Sequence, residues 1–393
     1  MERRIICFHV PSFEIALARL VEPRLRRWPA AVAPLHYTRS FLWEVSAEAR
    51  QEGVYERMGL AEARRVCPRL RVIAPDARRV SLGQKLLRET IRRFSPIYEL
   101  ANRGQLYADV SGSGRLFGDA VSVAGRIHNE ISQRHGISGA TGLARNKVVS
   151  GVVANVLDDA SIYQVRPGDE ESFLRPLAVT CLPDLRRLFG ASCDDTIVTL
   201  EELSLRFLGN IAAVPADQLQ LVIGGKARLL KQWAVGIDAS AVWPESQQPT
   251  LEIGHTCDSD EINDDLLLTI SYRLLEWISH HLRKQNRSAG SVTLRLDYAD
   301  GRGLSKRGKC SPPSCFESEI YPVLENLFFS INRRVRVRRI GLNIDAVPSA
   351  TTQLGLFHHD TCSTVKYLTS AIDSIRERYG DESIWRGKAA EIN

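Results

Sequence analysis

The sequence contains no apolar run near the ~20 residues that a membrane-spanning helix requires. Its opening, MERRIICFHVPSFEIALARL, sets basic residues before an apolar stretch. Charge and Pro11 interrupt that stretch and no small-residue cleavage site follows, so a buried first strand fits better than a signal peptide. Paired cysteine motifs are missing as well. The eight cysteines (Cys7, Cys67, Cys181, Cys193, Cys257, Cys310, Cys315 and Cys362) are scattered, which points to reduced thiols in a cytoplasm rather than a disulfide frame. Cys310 and Cys315 with His358, His359 and Cys362 imitate a zinc set, but their spacing matches no standard pattern. There is no internal repeat and no low-complexity tract. What is present is globular: 393 residues, 44% hydrophobic and 25% charged, enough for two to four domains. The net charge of +6 and pI near 8.9 are mildly basic, so the distribution of charge matters more than its sum.

Along the chain, Ile5–Val10 reads as a buried strand and 13–22 as a helix. Helical spacing recurs at 61–66, 79–95, 119–135 and 145–157, with strand-like runs at 97–101, 105–110 and 138–143. This alternation predicts one α+β or α/β domain over roughly 1–165. From 167 to about 240 the pattern is helical and short-looped. Two short helices there meet at Gly224-Gly225, a turn that either offers backbone N–H groups to a phosphate or is an ordinary glycine cap. The polar, proline-containing stretch 240–250 reads as a linker. Residues 251–349 then predict strand, helix, strand, strand, helix, strand, with 301–310 as a basic loop between strands. Residues 350–365 read as a loop and 367–379 as a terminal helix.

Positive charge concentrates in that last unit. Arg302, Lys306, Arg307 and Lys309 lie in GRGLSKRGKC, and Arg333, Arg334, Arg336, Arg338 and Arg339 follow thirty residues on. In a strand, Arg334, Arg336 and Arg338 share one face, opposite Val335 and Val337. Such an array repels itself unless an anion answers it, and a nucleic-acid backbone is the natural partner. A solvated face is the plainer alternative.

Several strings, in order, resemble the Y-family DNA polymerases. VSAEARQEGVYERMGLAEARRVCPRL (45–70) resembles the fingers, and YADVSG (107–112) a palm strand end. GRLFGDAVSVAGRIHNEI and GATGLARNKVVSGVVA resemble the palm helix and the strand and nucleotide-contacting helix after it. LGNIAAVPADQLQLVIGGKARLLKQWAVGID resembles the thumb. The basic unit resembles the little finger, and AIDSIRERYGDESIWRG a tail motif of several members. The resemblance implies an α+β multidomain fold of right-hand architecture. Palm and fingers would occupy 1–166 (fingers roughly 20–77) and a helical thumb 167–240. A linker at 241–250, a DNA-binding little finger at 251–349 and a tail at 350–393 would complete it.

The family adds nucleotides with two divalent metals, which are hard cations held by carboxylates. At the matching positions this chain carries Pro11 and Phe13 on the first strand's exit, and Gly104 and Gln105 where an Asp-Glu pair is expected. Ala16 replaces the bulky residue that screens ribose, and Ala47 replaces a phosphate-contacting tyrosine. Arg50 and Lys147 match the family's phosphate-binding pair, as working contacts or as relics. Glu14 and Asp109 are nearby acids that strand alternation places elsewhere.

An emptied palm resembles the ImuB-like accessory branch of the family. That branch implies a catalytically inactive protein of translesion synthesis, with no cofactor of its own. Gln353-Leu354-Gly355-Leu356-Phe357 resembles a sliding-clamp docking peptide, in which Gln353, Leu354, Leu356 and Phe357 make the contacts. Packing of those apolar residues on the little finger is the alternative. Implied partners are DNA, the β sliding clamp, a replicative-type error-prone polymerase and an accessory protein, in a bacterial, nucleoid-associated cytoplasmic setting. The competing expectations are an active error-prone polymerase using Mg²⁺ at a non-standard site, and a regulator that sequesters the clamp or DNA without recruiting any polymerase. On the first expectation, candidate DNA contacts are Gly224, Gly225, Lys306, Arg307, Lys309, Arg334, Arg336 and Arg338.

Overall fold

The computed structural model describes residues 3–34, 40–101, 104–112, 114–157, 161–183, 185–189, 193–244, 247–300, 302–349, 361–380 and 383–390. It divides into two compact units, Met1–Glu245 and Ser246–Asn393.

The first unit is organised by strand β1 (Ile5–His9), whose five residues alternate between two buried faces. Two strands form part of a small sheet beside it: β2 (Ala30–Val32) and β3 (Glu44–Val45), joined by β4 (Arg71–Ile73) in the order β3-β2-β4. Strands β5 (Tyr98–Leu100), β6 (Gln105–Asp109), β7 (Ala140–Ala144) and β8 (Ile162–Gln164) complete the main sheet, ordered β5-β6-β1-β7-β8. β1 runs antiparallel to both neighbours, with Cys7 opposite Tyr107 and Gly142. A central strand must be apolar on both sides, which is why Ile5–His9 reads as a continuous run. Ile6 and Phe8 pack with Leu106 and Ala108 against helices Phe13–Val21, Ala77–Ile91 and Ala120–His135. Ile5, Cys7 and Tyr107 face the other way, onto Ala154 of helix Lys147–Val156 and onto Val242. The described residues of 170–234 are mainly helical and pack on helix Lys147–Val156 through a core built on Leu174, Leu208, Ile211 and Leu230 with Val149 and Val153. The expected pair of short helices is there: Ala216–Ile223 and Ala227–Ala234, joined by a 3-10 turn at Gly224–Lys226.

The second unit is one antiparallel sheet, ordered β11-β10-β12-β9. Its strands are β9 (Thr250–Glu261), β10 (Arg287–Tyr298), β11 (Gly303–Ser314) and β12 (Val337–Pro348). Helices Asp264–Lys284 and Glu317–Phe329 complete the expected strand, helix, strand, strand, helix, strand order. Val292, Leu294, Ile340 and Leu342 meet Leu275, Ile278 and Leu324 in its core. Two expectations change here. The stretch from Gly303 is not a basic loop but β11, paired along its length with β10. The last long helix begins at Thr361, earlier than expected. It is tied to helix Asp264–Lys284 by a buried ion pair of Arg376 with Glu276 and by Arg283 with Asp373 at 2.7 Å. Burial pushes the Glu276 carboxyl up, which makes the adjacent guanidinium necessary. Among the described residues no helix is long and apolar enough to cross a membrane.

Candidate functional site

The four positions singled out on the palm do converge. β1 and β6 are antiparallel with His9 opposite Gln105, and the Val10 N–H donates to the Gly104 carbonyl at 2.8 Å. Pro11 and Phe13 therefore leave the sheet beside Gly104 and Gln105. The side chains there cannot hold a divalent cation. Pro11 has no ligand atom. Phe13 is 1% exposed and belongs to the apolar core. Gly104 sits at φ +77°, and a Cβ built on it would lie 2.7 Å from Phe13 Cβ and 2.8 Å from its Cγ. The aromatic ring thus fills the space into which an acid at 104 would project. Gln105 is buried, and its Nε2 donates to the Tyr107 hydroxyl at 3.2 Å and toward Cys7 Sγ at 3.5 Å. A pair of Mg²⁺ ions needs several anionic oxygens, and the residues at this edge do not fit one. Among the described residues, no group of three or more His, Cys, Asp or Glu is placed to hold a metal.

The nearby acids serve the fold. Glu14 is 1% exposed and accepts from the Asp76 N–H at 2.5 Å, at the start of helix Ala77–Ile91. Asp109 accepts from the Ser111 N–H at 2.9 Å. It lies at the far end of β6, about 13 Å from Gln105 at the rise of an extended strand. Glu44 on β3 accepts from the Glu14 N–H at 2.8 Å, neutralising the N-terminus of helix Phe13–Val21.

The two candidate phosphate-binding cations are also engaged. Lys147, buried, donates to Glu99 Oε1 at 2.6 Å and lies 5.1 Å from the centre of the Tyr107 ring. The other Glu99 oxygen accepts from the Trp243 N–H at 3.0 Å. Asn146 caps this helix by accepting from Val149 N–H at 2.9 Å, which fixes where Lys147 starts. Arg50, more exposed, donates to Glu56 at 3.0 Å and reaches Ser12 Oγ at 3.4 Å. Burial, and then repulsion from Arg50, push the His9 imidazole down to about 4, so it is neutral beside the emptied edge. The Glu99–Lys147 pair had no sequence signal: its members are 48 residues apart and each is ordinary in its own segment.

In the second unit the basic residues are arranged differently from the sequence expectation. β12 starts only at Val337, so Arg334 and Arg336 precede the strand and do not share a face with Arg338. The register ends there because Tyr298, opposite Val337, closes the β10 ladder. Arg338 is in the strand but chelated by Asp260, at 3.0 Å. Arg307 pairs with Asp345, and the Lys306 ammonium donates to Ser330 Oγ at 3.0 Å. Lys309, Arg334 and Arg336 are exposed and make no ion pair with a described residue. In the first unit, Gly224 and Gly225 are exposed, with nothing within 4 Å of a Cβ at either. The Gly224 N–H is taken by the Gln220 carbonyl, so Gly224 is a helix cap. The peptide Gln353, Leu354, Leu356, Phe357 lies outside the described residues.

A sheet-based palm, a compact helical module and a basic four-stranded domain, in this order, define a right-hand polymerase framework. The impB/mucB/samB family matches residues 8–155, and that family's C-terminal domain matches residues 252–356. The chain belongs to this family, within the Y-family DNA polymerase superfamily. It is similar to a "DNA polymerase IV" of Dehalococcoides mccartyi (strain CBDB1), 26% identical over 392 residues, covering 99% of this chain and 98% of the relative. A "DNA polymerase IV" of Halorhodospira halophila is also 26% identical, over 361 residues, covering 90% and 98%. Among solved structures, a Y-family DNA polymerase chimera superposes with TM-score 0.64 at 19% identity, over 87% of this chain and 98% of its own. DinB from Sulfolobus solfataricus superposes with TM-score 0.60 at 19% identity, over 88% and 100%. These confirm the right-hand α+β fold.

Proposed function

We propose that this chain is a catalytically silent Y-family protein of DNA damage tolerance, which binds DNA and the sliding clamp and supports synthesis by another polymerase. One observation carries the reading: Pro11, Phe13, Gly104 and Gln105 meet at the palm edge, and the Phe13 ring occupies the place of a carboxylate. The DNA grip is assigned to Lys309, Arg334 and Arg336, with Gly225 on the helical module as a phosphate donor. Lys306, Arg307 and Arg338 contribute less, because each already has an internal partner. Clamp docking falls to Gln353, Leu354, Leu356 and Phe357. The partners are a replicative-type error-prone polymerase and an accessory protein, on the ImuB-like pattern, in a bacterial cytoplasm. Arg50 and Lys147 are relics on this reading, since both are spent on internal acids.

A second reading is an active error-prone polymerase with a non-standard Mg²⁺ site. It is favoured by likeness to proteins named DNA polymerase IV across 99% of the chain. Primer extension by purified protein chooses between the two. We expect no extension with Mg²⁺ or Mn²⁺ at any nucleotide concentration. Template-dependent extension that survives rigorous purification refutes the scaffold.

A further inference from the structure

A cavity of about 510 Å³ opens in the first unit, at the opposite end of helix Phe13–Val21 from Pro11. It lies between the C-terminal end of helix Phe13–Val21, the 3-10 turn Pro23–Arg27 and β4. Five residues of helix separate its nearest wall, at Ala18, from the Ser12 turn, about 9 Å along the axis. Three features of it agree.

The first is an open strand edge. Among the described residues β4 pairs only with β2, in parallel. The Arg71 N–H donates to the Pro29 carbonyl at 2.8 Å and the Ala33 N–H to the Ile73 carbonyl at 3.1 Å. These bonds direct the β2-side groups of Arg71 and Ile73 inward. Peptide groups alternate along a strand, so the N–H and carbonyl of Val72 point to the other edge. Arg71, Val72 and Ile73 all line the cavity.

The second is apolar surface beside that edge. Val21 is 78% exposed, and Leu25 and Trp28 join it in the wall. A large exposed valine next to an unpaired strand edge is the pattern of a docking groove.

The third is charge. The lining holds Arg24, Arg71 and Arg79 against Glu22 alone. Arg79 is partly neutralised by Asp76 at 3.0 Å, whereas Arg24 makes no ion pair with a described residue. Arg71 lies 4.9 Å over the Trp28 ring. That stacking covers a face of the indole and takes away a platform on which a nucleic-acid base would stack. An apolar wall with a basic rim suits a peptide better than a phosphodiester strand.

We propose that this groove binds an extended acidic peptide of a partner protein. The peptide adds a strand to β4 through Val72, sets apolar side chains against Val21, Leu25 and Trp28, and places carboxylates at Arg24 and Arg71. No such role is required by DNA or clamp binding.

The test uses the full chain and a fluorescein-labelled decapeptide alternating aspartate with isoleucine and phenylalanine, read by fluorescence anisotropy. Val21→Asp and Arg71→Glu both change exposed positions and should each weaken binding at least tenfold, with circular dichroism unchanged. The same peptide N-methylated on alternate backbone nitrogens should bind at least tenfold more weakly, which reports strand addition rather than charge alone. The proposal is overturned if wild-type protein does not bind the peptide or if both variants bind it equally well. Indifference to N-methylation overturns it too, as does loss of single-stranded oligothymidylate binding in Arg71→Glu with peptide binding intact. The peptide arms contain no DNA, clamp or nucleotide, so their failure leaves the proposed function untouched.

Discussion

Gly104→Ala is the sharpest perturbation of the palm edge. The residue occupies φ +77°, where an L side chain crowds its own backbone, at a cost of about 1–2 kcal/mol. The new methyl would also stand 2.7 to 2.9 Å from three Phe13 carbons, all of them close to the chain and unable to swing away. Overpacking of that kind costs ~1–3 kcal/mol. The expected destabilisation of the first unit is therefore about 2–5 kcal/mol, a large share of a domain's stability. Gly104→Asp should cost more, since it adds a charge beside an aromatic core. Urea denaturation of the full chain, followed by far-ultraviolet circular dichroism, measures the loss in the transition of the first unit. Phe13→Ala in the Gly104→Ala background should return the share of the overpacking that comes from Cγ and Cδ2 and leave the Cβ contact and the backbone part, giving a coupling energy above ~0.5 kcal/mol. A Gly104→Ala loss below ~0.5 kcal/mol, the range of an ordinary surface substitution, would refute the reasoning. It would mean that the palm edge has room for a side chain, and hence for a carboxylate.

Leu356→Ala combined with Phe357→Ala should abolish clamp binding in surface plasmon resonance and leave DNA affinity unchanged; retained clamp affinity makes the peptide part of the core. Lys309→Gln and Arg334→Gln should each lower the salt slope of DNA binding by about 0.9, the share of one phosphate contact. Arg338→Gln should lower it less, because Asp260 already holds that guanidinium; equal slopes for all three refute the ranking. His9 is held at about 4 against 6.5 in an unfolded chain, so the unfolded state binds the extra proton between those values. Stability of the first unit should fall as pH drops from about 6.5 to about 4, by up to ~3 kcal/mol, and His9→Asn should flatten that part of the profile in pH-dependent urea melts.

The parts of this molecule that periodicity encodes were readable. Ile5–Val10 was expected as a strand and Ile5–His9 is one, because a central strand needs apolar residues on both faces. The helix expected at 119–135 spans Ala120–His135, its apolar residues returning at helical spacing. The stretch 301–310 misled because glycine and lysine read as a loop. Its Gly308 is instead a point of close approach, where a Cβ would lie 2.8 Å from Val323 of helix Glu317–Phe329. Arg334, Arg336 and Arg338 alternate as a strand should, but the ladder starts at Val337, and no local pattern marks where pairing begins. At the site, residue identity gave the missing acids directly. What fills their place was not legible. Phe13 meets Gly104, Glu14 meets Asp76 and Lys147 meets Glu99 only after the chain has folded across dozens of residues.

Those long-range partners bear on whether a nucleotide could return to this palm. In a working polymerase, a lysine and an arginine at these places have the triphosphate as counter-charge. Here Lys147 and Glu99 are both buried and bonded at 2.6 Å, with Trp243 holding the second carboxylate oxygen. A triphosphate that recruits Lys147 leaves Glu99 buried without its cation, and separating such a pair costs about 3–5 kcal/mol. That cost alone weakens binding by roughly two to four powers of ten. Arg50 is cheaper to redirect, since its pairing with Glu56 is solvent-exposed. One exposed arginine does not replace two metal ions as compensation for a triphosphate's charge. On the proposed reading, the absence of carboxylates at Pro11, Phe13, Gly104 and Gln105 and the internal pairing of Lys147 act in the same direction, against nucleotide as well as metal.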